Sequence, residues 1–339
     1  METNQIIHNC SGANTFKIEE NSIDLTVTSP PYPMVEMWDD CFKSQNEDIK
    51  KFWENKEYLK AWYLMHSVLD SVWLNVVRVT KPGGIVCINI GDATRTLSDN
   101  FQLFSNKTMI TKYFIEHGFI ALPEIIWRKR TNAPNKFMGS GMYAPGAYVT
   151  LEHEFILIFR KGAKREFHSE IEKQNRRKSG YFYNERNIWF SDLWEFQGVS
   201  QKGVKGSRDR NGSYPLELPL RLINMFSVQN DVVLDPFAGL GTTMMAAIIN
   251  GRNSINFEID PVLCEYIKER VSTYDDWNLY RKNRLTVQKE FMETEKSKGK
   301  ESYYNDILGI PVKTRQEKEI YLPEISSISV DKDIKVVYN

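Results

Sequence analysis

Cysteine is scarce in this 339-residue chain: Cys10, Cys41, Cys87 and Cys264 stand far apart, with no Cys-x-x-Cys pair. That pattern excludes a disulfide-dense scaffold and fits a reducing, cytoplasmic setting. No apolar run approaches the roughly 18 residues needed to cross a bilayer, so no membrane partner is expected. Met1 to Cys10 carries neither the basic nor the apolar region of a secretory signal. Net charge is also missing, since 44 Lys and Arg balance 44 Asp and Glu. Taken alone, that neutrality argues against a nucleic-acid partner, because phosphate binding needs local positive potential. What remains is ordinary for a globular protein, at 41% hydrophobic and 26% charged residues. The length suits one large domain, or one domain with an insertion.

The charge is unevenly spread. Arg160 to Asn211 holds thirteen Lys and Arg against seven Asp and Glu. A basic stretch in a neutral chain faces either solvent or phosphates. Around it, short apolar runs alternate with helical patterns, the mark of an α/β protein with a mostly parallel sheet. Ile23 to Thr28 reads as a buried strand stopped by Pro30 and Pro31. Leu59, Trp62, Met65, Leu69, Val72 and Val76 fall at three- and four-residue spacing, which predicts a helix over Tyr58 to Val79. Strands are expected at Ile85 to Ile90, Phe119 to Trp127 and Glu154 to Phe159, and a helix at Lys107 to His117. The aromatic islands at 181–183 and 189–190 predict a small local core. After Pro215 come a short helix, a strand at Val232 to Leu234, and a helix from Thr242 to Asn250. A strand at Ser254 to Ile259 and a helix from Pro261 to Val271 follow. Beyond Tyr280 the chain is charged and weakly patterned.

Between the strand at Val232 and the helix at Thr242 lies Asp235-Pro236-Phe237-Ala238-Gly239-Leu240-Gly241-Thr242-Thr243. A glycine turn there lets backbone approach a ligand closely and aims a helix N-terminus at it. A triphosphate loop would need a Lys that is absent, and a dinucleotide loop would need Gly or Ala where Met244 stands. Aspartate before Phe-x-Gly-x-Gly instead resembles an S-adenosylmethionine loop. Glu258, at the end of the next strand, is placed to accept both ribose hydroxyl hydrogens of an adenosine.

Thr28 is followed by Ser29-Pro30-Pro31-Tyr32. Proline fixes φ and removes a donor, so this backbone offers carbonyl acceptors in a rigid frame. Ser29 adds a hydroxyl acceptor and Tyr32 a flat face for stacking. An aromatic amine is a poor nucleophile because its lone pair is delocalised. Oxygens accepting its two N–H hydrogens favour a tetrahedral nitrogen and free that lone pair. The base must first leave the duplex stack, and the tyrosine face would hold it.

Tetrad, basic stretch, Tyr214-Pro215 helix and glycine loop, in that order over Ile6 to Val271, resemble the β-ordered group of DNA amino-methyltransferases. The resemblance implies a Rossmann-like methyltransferase fold with a mostly parallel twisted sheet and circularly permuted motif order. It implies a catalytic half (1–160), an inserted target-recognition segment (161–212), a cofactor half (213–280) and an extension of unread role (281–339). Ser-Pro-Pro-Tyr is similar to the cytosine-N4 version; adenine-N6 enzymes more often begin with Asp or Asn. By the same resemblance Ser29, Pro30, Pro31 and Tyr32 bind the target base. S-adenosylmethionine falls to Asp235, Pro236, Phe237, Gly239, Gly241, Thr242, Thr243, Glu258 and Tyr214. Many relatives carry Gly-Asp after the first strand; here Asn9-Cys10 stands there, which makes Asn9 a candidate for the adenine edge.

Double-stranded DNA is the expected partner, with Arg128, Lys129, Arg130, Arg176, Arg177, Lys178, Arg208 and Arg210 as candidate contacts. A cognate restriction endonuclease would share the site, and the protein would be a monomer or homodimer. No metal is expected: in Glu152-His153-Glu154, side chains alternate on a strand, so His153 points away from both glutamates. Cytosine-C5 transfer is set aside, because it resembles a chemistry that needs a cysteine after proline and none is present. The rival readings are adenine-N6 transfer, action on RNA or a small molecule, and a non-catalytic cofactor- and nucleic-acid-binding module.

Overall fold

The computed structural model describes residues 1–129, 139–197, 214–299 and 302–339. The first half of the chain supplies β1 (Glu2–Asn9), β2 (Ile23–Thr28), β3 (Thr80–Ile90), the hairpin β4 (Ala93–Leu97) and β5 (Asn100–Phe104), β6 (Phe119–Arg128) and β7 (His153–Lys161). Then come β8 (Leu193–Glu195), β9 (Val232–Asp235), β10 (Asn253–Glu258), β11 (Tyr303–Asn305), β12 (Ile310–Val312), β13 (Ile325–Val330) and β14 (Ile334–Tyr338). Between them run α1 (Asp39–Gln45), α2 (Glu47–Glu54), α3 (Tyr58–Val79), α4 (Asn106–Glu116) and α5 (Glu170–Lys178). They are followed by α6 (Tyr183–Trp189), α7 (Glu217–Phe226), α8 (Thr242–Asn250), α9 (Pro261–Thr273) and α10 (Leu279–Ser297).

Ten strands form one sheet in the order β13-β14-β1-β10-β9-β2-β3-β7-β6-β8. The five from β1 to β3 are parallel; β7 runs against both β3 and β6, and β14 against β1. This is the Rossmann-like, mostly parallel arrangement expected. All six residues of β2 are buried, as suits a strand covered on both faces. Side chains of β3 alternate between two cores. Ile85 and Cys87 belong to the core that holds α7 and α8, whereas Val86, Ile88 and Ile90 belong to the one that holds α3 and α4. Helix α3 buries Trp62, Met65, Leu69, Val72 and Val76, as its spacing predicts, and Trp73 beside them, while Leu59 in its first turn is exposed. All nine residues of α8 are buried between the sheet and α7, so this helix needs no polar face.

The connections place the site. From β9 the chain moves to β10 on one side; from β2 it moves to β3 on the other. The crevice above the carboxyl ends of β9 and β2 is therefore a topological switch point, where open α/β sheets bind ligands. The glycine turn leaves β9 there, and Ser29 to Tyr32 leaves β2 beside it.

The opposite end of the sheet is closed by charge. Lys81 Nζ lies 2.7 and 2.8 Å from the two oxygens of buried Asp24, and Arg165 lies 2.6 Å from Asp231. Helix α5 docks at this end: Asn175 donates to the Gln229 carbonyl at 2.8 Å, and the Gln229 N–H donates to Ser179 at 2.8 Å. Phe182, just before α6, is fully buried against Ile310, Val312, Ile320 and Leu322. Arg284 of α10 forms a buried pair with Glu185 at 2.5 and 2.7 Å. The aromatic islands thus form the local core expected, but share it with the last fifty residues. Those residues also extend the sheet. Tyr338 of β14 donates to the Ile248 carbonyl at 2.7 Å and bonds Thr3 at 3.0 Å. No helix among the described residues is long and apolar enough to cross a membrane.

Candidate active site

Gly239 and Gly241 both take positive φ, at 53° and 72°. A Cβ on Gly241 would also stand 2.8 Å from Ile267 of α9, so turn and packing both require glycine. Glu258 reaches back from β10: it accepts the Gly239 N–H at 2.8 Å and the Asp260 N–H at 3.0 Å. Asp260 in turn caps α9 by accepting from Val262 N at 2.9 Å, with Pro261 at the first helical position. Phe237 packs edge-on against Trp73 of α3, ring centres 5.7 Å apart.

A cavity of about 650 Å³ joins this turn to the tetrad. Pro236, Phe237, Gly239, Thr242, Glu258 and Leu263 line it, as do Ser29, Pro30, Pro31, Tyr32 and Tyr214. Trp38 and the Val68, Leu69 and Val72 face of α3 form an apolar wall. Asp235, Gly241 and Thr243 sit behind the lining. Asp235 accepts from Thr28 Oγ1 at 2.6 Å and from the Phe237 N–H at 3.0 Å. Burial raises its pKa, against the lowering effect of those hydrogen bonds. Thr243 bonds the Tyr214 hydroxyl and donates to the Val27 carbonyl at 3.3 Å. These three residues shape the site from beneath.

The tetrad is tied into a polar network that the sequence did not reveal. The Tyr32 hydroxyl donates to Glu154 Oε2 at 3.0 Å, and Ser29 Oγ lies 3.1 Å from the same hydroxyl. Asn89 Nδ2 donates to Tyr32 at 2.8 Å and to Glu154 at 2.7 Å. Lys129 pairs with the other Glu154 oxygen. Burial, and then the Glu154 charge, hold the Tyr32 phenol well above its usual range, so it keeps its proton. A Cβ on Gly91 would come 3.0 Å from the Tyr32 ring, so the ring lies against bare backbone. Behind the tetrad, Asn106 donates to the carbonyls of Pro33 at 2.9 Å and Gly91 at 3.0 Å. Its oxygen accepts from Trp62 Nε1 at 2.8 Å and faces His66 Nε2 at 3.1 Å. An indole N–H only donates, which fixes the amide orientation and puts the His66 proton on Nε2. Strand alternation is visible around Glu154: the His153 ring packs on Phe155, while Glu154 reaches Tyr32.

Several expectations need correction. Asn9 does not line the cavity; both its amide hydrogens go to the carbonyls of Glu258 and Ile259, at 3.0 and 3.2 Å. It latches β1 to the end of β10, outside the cavity lining. Arg176, Arg177 and Lys178 ride on α5 at the far end of the sheet, and Arg177 pairs with Glu319 at 2.9 Å. The crevice lies at the other ends of the strands, so these three do not join it. Lys129 lines the cavity but is committed to Glu154, and also lies over the Trp127 ring. Arg128 is exposed beside Glu152 and Glu195, each 3.3 Å away. Arg130, Arg208 and Arg210 lie outside the described residues.

An α/β fold with a glycine turn after β9, an acidic residue ending β10, and a proline-framed acceptor set after β2 defines a nucleoside-cofactor group-transfer enzyme. Residues 23–269 match the N6/N4 DNA methylase family, and the chain belongs to it. It is 47% identical over 326 residues to the type II methyltransferase M.MthZI of Methanothermobacter thermautotrophicus, covering 95% of this chain and 91% of that one. Identity to M.MjaI of Methanocaldococcus jannaschii is 49% over 266 residues, covering 75% and 87%. Among solved structures, a putative DNA modification methylase of Thermus thermophilus, TTHA0409, complexed with S-adenosyl-L-methionine, matches with a TM-score of 0.61 at 29% identity. That match covers 79% of this chain and 95% of the other. The fold is also that of PvuII DNA methyltransferase, at a TM-score of 0.55, 18% identity, and coverage of 81% and 88%.

The protein is thus a DNA methyltransferase whose cofactor is S-adenosylmethionine. Its residues fit that group. Glu258 offers a carboxylate from the cavity wall, Phe237 and Leu263 offer apolar surface, and a Cβ on Gly239 would meet only the Phe237 carbonyl, at 4.0 Å.

Proposed function

We propose that this enzyme methylates N4 of cytosine at a specific sequence in duplex DNA, as the modification partner of a restriction endonuclease that reads the same site. The single observation that carries the choice of base is Ser29. A hydroxyl opens the tetrad where the adenine-N6 type more often has Asp or Asn, and it lines the cavity beside Tyr32.

In this reading Ser29 Oγ and the Pro30 carbonyl accept the two hydrogens of the target amine, and Pro31 holds their spacing. The Tyr32 ring, pressed against Gly91, stacks on the extruded base. Glu258 holds the cofactor's ribose, Phe237 and Pro236 flank its base, and Tyr214 and Thr242 lie along the rest. Bound S-adenosylmethionine supplies a methyl group on a sulfonium already activated for displacement. The chain's share is therefore orientation and a lone pair freed for in-line attack. DNA recognition falls to segment 161–212 together with the exposed end of β6 at Arg128, with the contacts in that segment lying beyond α5.

Expression in a methylation-deficient bacterium, followed by nucleoside mass spectrometry and modified-base sequencing, tests this. N4-methylcytosine at one short sequence is expected. N6-methyladenine without N4-methylcytosine overturns the choice of base, and no modified base at all favours a non-catalytic binding module.

A further inference from the structure

A serine hydroxyl has a proton to give as well as lone pairs to offer. If Ser29 donated its proton to the target amine, it would occupy the very lone pair that must attack. A serine-type tetrad therefore needs something to fix the direction of that hydrogen bond, whereas a carboxylate in the same place accepts only.

The network around Tyr32 supplies the direction. Glu154 is a carboxylate and can only accept, so the Tyr32 proton must point to it, across 3.0 Å. Asn89 Nδ2 can only donate, so at 2.8 Å it takes one lone pair of the Tyr32 oxygen. Turning the Asn89 amide over would set its oxygen 2.7 Å from Glu154, acceptor against acceptor, so the assignment stands. The Tyr32 oxygen is left with one lone pair and no proton on the side of Ser29. At 3.1 Å, Ser29 can bond it only by donating. Its hydroxyl hydrogen is thereby turned inward, and only lone pairs face the cavity. Lys129, paired with the second Glu154 oxygen, keeps the relay anchored to a charged acceptor.

We propose that Glu154 is a positioning residue that sets the polarity of Ser29, making its hydroxyl a pure acceptor toward the target amine. The inference rests on the reading of Ser29 as an amine acceptor, and holds whether the amine belongs to cytosine or adenine. In this role Glu154, though it also lines the cavity, acts through Tyr32.

The test is a mutant cycle with the full chain on duplex DNA, reading kcat, KM for DNA and cofactor Kd. Glu154→Gln is isosteric but can donate to Tyr32 as well as accept. It should lower kcat by about 10- to 100-fold, the worth of one charge-assisted hydrogen bond. KM and cofactor Kd should stay within about twofold, because binding of the ground state is not what the relay controls. Glu154→Asp, still acceptor-only, should recover part of the loss. Ser29→Ala should be slow, and Ser29→Ala with Glu154→Gln no slower, because without the hydroxyl there is no polarity to set. Multiplying defects overturn the relay, as does a Glu154→Gln defect that weakens cofactor binding as much as turnover. A slow Ser29→Ala beside an unimpaired Glu154→Gln overturns the relay alone. Ser29→Ala at wild-type speed overturns the reading of Ser29 itself.

Discussion

Thr28 and Asp235, at the carboxyl ends of β2 and β9, are joined by a 2.6 Å hydrogen bond between buried side chains. One precedes the tetrad and the other opens the cofactor turn. The two halves of the site, over two hundred residues apart in the chain, are thus registered by this contact, alongside the Thr243 bond to the Val27 carbonyl and the pairing of β2 with β9. The same Asp235 oxygen accepts the Phe237 N–H, so the turn is shaped by the strand pairing beneath it.

Removing the Thr28 hydroxyl should therefore be felt twice. Thr28→Val keeps the shape but leaves a buried carboxylate short of a donor, which costs about 1 to 3 kcal/mol. Urea denaturation should show that loss, and titration calorimetry should show weaker cofactor binding. A variant with wild-type stability and wild-type cofactor affinity would mean that the two halves are registered elsewhere.

His66 makes the site acid-sensitive. It is 2% exposed, and burial pushes its pKa down to about 4, against a raising effect from Asn106. Since the folded value lies below the unfolded value of about 6.5, the unfolded chain binds the extra proton between them. Stability is therefore complete above pH 6.5 and falls as pH drops toward 4, by on the order of 3 kcal/mol from this group. The penalty comes from burying the charged ring, and its partner Asn106 is the side chain that holds the Pro33 and Gly91 carbonyls behind the tetrad. His66→Gln, which can still donate to Asn106, should flatten the decline in Tm between pH 6.5 and 4. Parallel declines in both proteins would remove His66 as the cause.

How far the site was legible depended on whether its parts were local. The glycine turn, Glu258 and Ser29 to Tyr32 each sit at a strand end and carry their own chemistry, so spacing alone exposed them. Glu154, Asn89 and Asn106 carry none until folding brings them to Tyr32 and Pro33 from β7, β3 and α4. Each reads in isolation as an ordinary polar residue. Ile334, Val336 and Tyr338 alternate as a strand should, yet five residues with no turn signal are too short to weigh. Pairing with the edge of β1 makes them part of the sheet. The basic stretch was legible only as a count for a related reason: a charge count has no direction, and its three residues on α5 lie away from the crevice.

Glu258 and Asn9 stand side by side, yet they should behave differently. Glu258→Gln keeps one acceptor but loses the charge proposed to bind a pair of ribose hydroxyls, so cofactor Kd should rise about 10- to 100-fold. Asn9→Ala removes only the latch to the Glu258 and Ile259 carbonyls on an exposed strand end. Its cost should be about 1 kcal/mol of stability, with cofactor Kd changed little. Equal effects on Kd would return Asn9 to the cofactor.

The placement of α5 makes a prediction about DNA. Arg177 and Glu319 are each 45% exposed, and such a pair contributes about 0 to 1 kcal/mol. Arg177→Ala with Lys178→Ala should hence leave both fold and DNA binding intact, because α5 docks beside Gln229, below the start of β9. Arg128 ends β6 next to cavity-lining Lys129 and is 54% exposed. If it reaches a phosphate when DNA docks, Arg128→Ala should reduce the slope of log K against log salt by about one. Filter binding between about 50 and 200 mM salt measures both variants on the same duplex. A slope lowered by the α5 pair and untouched by Arg128→Ala would move the DNA to the far end of the sheet, where no described residue of the tetrad or the cofactor turn could meet it.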